Sequence, residues 1–455
     1  MVQTRLFAHD ANQIELRTAT QITPDRRVQD YTLDAFIFIP RTLGITTDSY
    51  DARAFTQDTG AFVRLTTPKV PLADLGLDGT SAYLDLKEGE ERVRRIKVLA
   101  CVLRSAIKAE VAALEPAEFC EALKGALERF KSLRPQNPNT RTEGAWQAAD
   151  EFVSLRAEEA CTELVARLPE GEERAALATL AVDCYLHRLD RGYHSTVEAG
   201  AENEALLRSR RLAKRAISSV LWLDITRSEP GRFWRNVIGM VAAAAAMAFA
   251  VATTLWATAH YEMFSVTFVT IAITSYVVKD RIKDLGKAVL GKRLRSFVAD
   301  HEVVVADRES GAKLGTARER FRIAEAGDIH PVIAELRLRH HHSAMAADAR
   351  PEVVLHWSKE VRLDSDALAR HPLGVTGLTD ILRFNIRHLR AHMDAAYQDR
   401  QVVNPETREL LTVRCASVHH VNLLLRLVAE GETRFESFRV VLDQRGIKRI
   451  EHLQS

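Results

Sequence analysis

The 455 residues are 46% hydrophobic and 27% charged, with a formal net charge of +2. That is ordinary globular usage, which excludes a disordered or collagenous chain and leaves room for two or three domains. Five cysteines (Cys101, Cys120, Cys161, Cys184, Cys415) form no CxxC pair and no even framework, so they read as reduced, mostly buried thiols rather than as disulfides or metal ligands.

The opening MVQTRLFAHD has no apolar core of signal-peptide length, so no cleaved leader is expected. Residues 1–87 read as a β-leaning N-terminal segment. From Tyr31 to Ile39 the chain first alternates and then turns apolar on both faces, as a strand entering a covered sheet does, and Pro40 closes it. Gly76 and Gly79 lie in a loop that lacks the GxxxxGK[ST] spacing of a phosphate loop, so an ordinary turn is expected.

Residues 88–227 read as a cytoplasmic helical bundle. Val93, Ile96, Leu99, Leu103, Ile107, Val111 and Leu114 recur every three or four positions, Pro116 opens the next helix, and Pro135 and Pro138 punctuate a loop. Trp146, Ala149, Val153, Ala157, Ala160 and Leu164 form a third stripe, and Leu177, Leu180, Cys184 and Leu189 a fourth. Ser228, Glu229 and Pro230 then give an N-cap, an acidic residue and a first-turn proline.

Residues 228–298 carry the strongest signal. Two apolar runs, about 237–258 and 261–278, contain one formal charge, Glu262. A spanning helix needs about 20 apolar residues. The first run reaches that length, and the second reaches it by borrowing from the turn. Arg208, Arg210, Arg211, Lys214, Arg215, Arg227, Arg232 and Arg235 precede the pair, and Lys279, Arg281, Lys283, Lys287, Lys292, Arg293 and Arg295 follow it, each set against only two carboxylates. The turn has no Lys or Arg. Positive residues stay on the cytoplasmic side and aromatic rings sit at the headgroups, so Trp234, Arg235, Tyr276, Lys279 and Arg281 are expected at the inner interface and Trp256 and Tyr261 at the outer one. A two-helix transmembrane hairpin in the inner membrane follows, with both termini cytoplasmic. Beyond it, Ile282, Leu285, Val289, Leu290, Leu294 and Phe297 make a basic amphipathic helix that either lies on anionic lipid headgroups or prolongs the second span as a stalk.

Residues 299–455 read as a cytoplasmic α+β domain. His301–Ala306 and Val353–Leu363 look like strands, Gly327–Leu338 like a helix, and the three C-terminal runs like antiparallel strands with DQRG as a turn. The fold class expected is thus an α+β membrane protein: a β-leaning segment and helical bundle, a transmembrane hairpin, and a C-terminal α+β domain with an antiparallel sheet.

Twelve of the sixteen histidines follow residue 300. His388 and His392 have helical i,i+4 spacing, and His340 and His342 lie in a run of three, so these four are the candidate metal ligands. The HLRAH spacing lacks the glutamate of a zinc protease, and adjacent His419 and His420 point to opposite faces of a strand. No catalytic or cofactor motif emerges, and the Asp364 and Asp366 pair stands alone. Nucleic acid is not an expected partner, because the basic patches are the membrane flanks and lack interleaved aromatics. The expected partners are the lipid bilayer and a second copy or partner protein, since Ala242–Ala246 allow close helix packing. The leading functional expectation is a non-catalytic membrane-anchored scaffold, assembly or sensing protein. The alternatives are an oligomeric channel-like effector lined by the hairpin's Thr and Ser residues, and a metal-dependent enzyme built on the histidine-rich region.

Overall fold

Alternation of apolar and polar residues decides which face of each strand is buried, and here it gathers strands from both ends of the chain around one core. A computed structural model describes residues 2–22, 27–46, 49–76, 90–135, 140–197, 200, 202–263, 265–295, 298–324, 329–339, 352–371 and 375–453. The chain opens with β1 (Val2–Asp10), β2 (Gln13–Gln21) and β3 (Val28–Pro40). Helix α1 (Ala52–Asp58) is capped by the Asp51 carboxylate, which accepts from the Arg53 and Ala54 amides, and leads into β4 (Thr59–Leu65). Six helices follow in pattern with the apolar stripes: α2 (Leu72–Gly76), α3 (Glu90–Glu110), α4 (Pro116–Ser132), α5 (Thr140–Val165), α6 (Glu172–Asp190) and α7 (Glu204–Ser218). Strand β5 (Asp224–Ser228) precedes the two longest helices, α8 (Pro230–His260) and α9 (Val266–Arg295). The remainder comprises β6 (His301–Ala306), β7 (Lys313–Ala324), α10 (Pro331–Arg339), β8 (Glu352–Asp364), α11 (Ser365–Ala369), β9 (Gly377–Asn385), α12 (Arg387–Arg390), β10 (Tyr397–Val403), β11 (Leu410–Ala416), β12 (His419–Ala429), β13 (Glu432–Asp443) and β14 (Gly446–Leu453).

The protein is mixed α+β with antiparallel sheets. One sheet has the order β14-β13-β12-β3-β8-β7-β6-β5, a second β1-β2-β9-β4, and β10-β11 form a separate hairpin. Segment 1–87, expected as a unit apart from 299–455, is instead woven into it. Leu33 of β3 lies between Leu427 of β12 and Lys359 of β8, while β2 and β4 flank β9. The reason is the two-sided burial of β3. Tyr31, Leu33, Ala35, Ile37 and Ile39 face the smaller sheet, and Phe36 and Phe38 face the other way. Such a strand needs a neighbour on each edge and a cover on each face, which a local hairpin cannot supply.

Helix α10 provides the second cover, setting Ile333 and Leu336 against Phe36, Phe38 and Leu424. Arg337 fixes it in place with two hydrogen bonds, 3.0 and 2.7 Å, to the Glu352 carboxylate. Helices α3 to α7 continue the main core, where Leu99, Phe119, Phe152 and Ile217 are buried, each contributing about 1.5–3 kcal/mol of apolar transfer energy. Fully buried Arg188 is paired with Glu158 and donates to the Ser154 hydroxyl.

The two sheets are stitched at both edges. The Leu223 amide donates to the Val63 carbonyl at 3.0 Å, and the Ile447 amide to the Ala11 carbonyl at 2.9 Å. At the second seam Gly446 has φ +137°, and a Cβ there would lie 2.1 Å from the Ala11 oxygen, so only glycine fits.

Candidate functional site

Helices α8 and α9 pack antiparallel along a stripe of small residues. Ala242, Ala246 and Ala257 are buried in the contact, and the Thr253 and Ser275 hydroxyls share a hydrogen bond of 2.5 Å. Gly286 sits on Ala242 so closely that a Cβ at 286 would lie 3.2 Å from the Ala242 Cβ. Small side chains are what allow backbones to approach this way. Pro230 occupies the first turn of α8, but the cap position is Glu229 rather than the expected Ser228, whose hydroxyl donates instead to the Glu302 carbonyl at 3.3 Å.

Asn236–His260 of α8 is a run of 25 residues with mean hydropathy 2.0, and 11% of its most apolar window is buried in the protein. Among the described residues it is the one helix long and apolar enough to cross a membrane. The second expected span does not meet that standard. After Val278, Lys279, Asp280, Arg281, Lys283 and Asp284 interrupt the apolar run, and α9 continues as one helix to Arg295.

The packing register shows what that means in space. Ser275 is level with Thr253, and Gly286 with Ala242, so each step forward along α9 is a step back along α8. Lys279 therefore lies level with Phe249, in the middle of the apolar stretch of α8. Tyr276 is level with Ala252, about 18 residues or roughly 27 Å along the axis from Trp234. Trp234 and Tyr276, expected at one interface, thus stand at different levels. Trp256 and Tyr261 do cluster near the turn, their rings 5.9 Å apart. Lys279 places its ammonium 3.9 Å above the Tyr276 ring, and Arg281 is exposed. Trp234 is exposed against Phe233, and the Arg235 side chain lies outside the described residues.

Both ends of the pair leave the body at one place. Strand β5, just before α8, pairs with β6, just after α9, with Ser228 opposite Glu302. A crossing by α8 would therefore require a return by α9. Much of the pair's apolar surface is bare, with Leu255, Val266 and Ile273 standing 67%, 84% and 62% exposed. The threonine hydroxyls are engaged at home: Thr254, Thr258, Thr270 and Thr274 each donate to the carbonyl four residues back, the usual arrangement of such residues in an apolar helix.

Of the candidate metal ligands, His388 and His392 are neighbours at α12, with ring centroids 5.8 Å apart. His388 lies against Tyr50 at 6.0 Å, and His392 packs on Gly44, whose φ of +77° and missing Cβ make room for the ring. His340 and His342 lie outside the described residues. Among the described residues no three His, Cys, Asp or Glu side chains converge as a metal site. Asp364 caps α11 through the Ala367 amide, and Asp366 pairs with Arg27 at 3.1 Å.

Two buried polar groups escape composition and motif reading. Between the sheets, Lys359 Nζ lies 2.6 Å from Asp380 and 3.4 Å from Glu319. Burial pulls the Lys359 pKa down, but the two carboxylates more than offset it and hold it above the ordinary lysine value. On α3, Arg94 donates to Asp307 at 3.1 Å and lies 3.3 Å from His371 Nε2. The signal for the first group is present in the sequence: Asp380 falls in phase with inward Leu378, Leu382 and Phe384, a charge on an apolar face.

With this geometry in hand, comparisons with protein-family models, curated proteins and solved structures find no match.

Proposed function

We propose that the protein is a membrane-anchored scaffold or sensing protein of the inner membrane, with its α+β body and both termini on the cytoplasmic side. The observation that carries this reading is the bare apolar surface of α8, 25 residues long and largely unburied, since soluble monomers rarely leave so large an apolar patch uncovered. Arginines flanking the entry of the pair, among them Arg208, Arg211 and Arg215, support the cytoplasmic placement through the preference of cations for that side. The anionic lipid headgroups are their partners in this reading. An assembly role draws on a second exposed feature, the β10-β11 hairpin, which presents Val402, Val403, Leu410 and Leu411 to solvent, and a second copy or another protein would cover it.

Two depths of insertion fit the pair. The length of α8 favours two full spans, with the turn reaching the far side. The level of Lys279 favours a tip-inserted hairpin, because only about 13 residues of α9, roughly 20 Å, precede the first charge, less than the ~30 Å of hydrocarbon. A cysteine placed at Glu262, in a chain whose Cys415 is replaced by serine, separates them. Labelling by an impermeant maleimide from the outside of intact cells is the two-span outcome, and labelling only after solubilisation is the tip-inserted one. Recovery of the full-length chain in the soluble fraction overturns the anchor itself.

A further inference from the structure

Hairpin β10-β11 stands apart from the two larger sheets. Its strands pair from Tyr397 opposite Ala416 to Val403 opposite Leu410, and among the described residues neither outer edge has a strand beside it. The foot of the hairpin is fixed, because the Tyr397 ring takes the Arg414 guanidinium at 4.3 Å and, from the β13-β14 end of the body, Arg445 at 5.2 Å and Lys448 at 5.6 Å. Beyond that foot, Gln398 to Val403 and the whole of β11 are exposed. A bare two-stranded ribbon is marginally stable in water, and gains stability from a third strand or from something packed on it.

The two edges differ in what they would meet in a copy of themselves. Antiparallel pairing of a strand with its own copy about a twofold axis sets the central residue opposite itself, and residues equally far on either side opposite one another. The centre of β10 is Arg400. That edge would bring two guanidiniums face to face, which is destabilising. The centre of β11 is Val413, so Leu411 would meet Cys415, Thr412 would meet Arg414 and Leu410 would meet Ala416 of the copy, with no like charges opposed. Arg414, the one charge on β11, is already opposite Asp399 of its own hairpin and over the Tyr397 ring. Leu411, Val413 and Cys415 fall on one face of the strand, where Val402 is opposite Leu411, so the junction would continue an apolar row from one hairpin to the next. Neither a proline nor a bulge interrupts β11, and these are among the devices that keep exposed edges from pairing.

We propose that β11 pairs antiparallel with β11 of a second copy of this chain, centred on Val413, so that two hairpins form one four-stranded sheet across a twofold axis. The ladder satisfies backbone groups that are otherwise left to water, and the alternating side chains set the register, as in other strand additions. This rests on the assembly reading above and commits it to one partner and one edge. Anchoring in a shared membrane would strengthen the contact, because it raises the effective concentration of one edge near the other.

The test uses full-length chains in the cells that express them, treated with a mild oxidant and sized without reductant. Leu411→Cys, with the native Cys415, is expected to give a disulfide-linked dimer. The two thiols face each other between copies, whereas within one strand they are four residues, roughly 13 Å, apart. The parent chain, and Leu411→Cys combined with Cys415→Ser, should give none. Adding Val413→Lys to the cross-linking chain should lower the dimer yield about tenfold or more, since like charges then meet at the axis, and Val413→Glu should do the same. Co-expression of the Lys and Glu chains should restore the yield as a mixed dimer, which two merely misfolded variants could not do. Leu411 and Val413 are both exposed, so these substitutions leave the core intact. No dimer from Leu411→Cys, an adduct with a different protein in its place, or a yield that Val413→Lys leaves unchanged overturns the inference. Dimer is scored in the membrane pellet and in the soluble fraction alike. A chain found in the soluble fraction overturns the anchor, and dimer formed there still supports the strand pairing.

Discussion

Thr253 and Ser275 face each other across the helix pair with their hydroxyl oxygens 2.5 Å apart, and that contact sets the level of every residue on α9 against α8. It places Lys279 level with Phe249 and Gly286 closely against Ala242. Gly286→Leu is therefore expected to force the helices apart, whereas Gly231→Leu, with nothing within 4 Å of its Cβ position, leaves them in contact. Disulfide formation in a Thr253→Cys, Ser275→Cys chain reads this directly. It should proceed in that background and with Gly231→Leu, and fail with Gly286→Leu.

The Lys359 ammonium is held between sheets by Asp380 and Glu319. Lys359→Met strands two buried carboxylates and is expected to destabilise the fold by about 3–5 kcal/mol. Adding Asp380→Leu and Glu319→Leu should recover most of the loss, because an apolar cluster of similar volume needs no charge compensation. Urea unfolding followed by tryptophan fluorescence measures both. A triple variant no more stable than Lys359→Met would rule out this account.

His371 sits where protonation is opposed. Burial and then the charge of Arg94 lower its pKa below that of a free imidazole, against the partial pull of Asp307. The unfolded chain therefore binds the proton more tightly than the folded one, so stability is fully present above about pH 6.5 and falls as pH drops through that value. Asp307 is depressed as well. Its burial is outweighed by the Ser310 hydrogen bonds and the Arg94 charge, which extends the loss to lower pH. Thermal unfolding between pH 7.5 and 5 should show a falling midpoint, and His371→Gln should flatten the slope in the lower half of that range. An unchanged slope in the variant would assign the effect to other groups.

The seam at Gly446 separates backbone strain from collision. Gly446→Ala adds a Cβ that would meet the Ala11 carbonyl at 2.1 Å, whereas Gly431, with φ +82°, has open space around its Cβ position. Gly431→Ala is expected to cost about 1 kcal/mol from the positive φ alone, and Gly446→Ala distinctly more, since the edge of the larger sheet must move away from the β1-β2 turn. Equal losses in chemical unfolding would contradict this assignment of the seam.

Much of the secondary structure is legible in the sequence because it follows local periodicity. The stripes through Ile96, Ala149 and Leu180 are the buried faces of α3, α5 and α6, and the run at Tyr31–Ile39 is the double-sided strand β3. The run from Leu410 to Val428 reads as one β stretch but breaks at Ser417 into β11 and β12, since a turn without Gly or Pro leaves no local mark.

What the sequence determined by itself is therefore the kind and place of the elements, including an apolar α8 long enough to cross a bilayer. It could not determine the neighbours. That β3 lies between β12 and β8, and that α9 carries Lys279 to the level of Phe249, are facts of pairing between residues up to hundreds of positions apart. Periodicity records which face of an element is buried. Only the packed structure records what it is buried against, because register and charge proximity depend on which surfaces meet, and no local pattern encodes that choice.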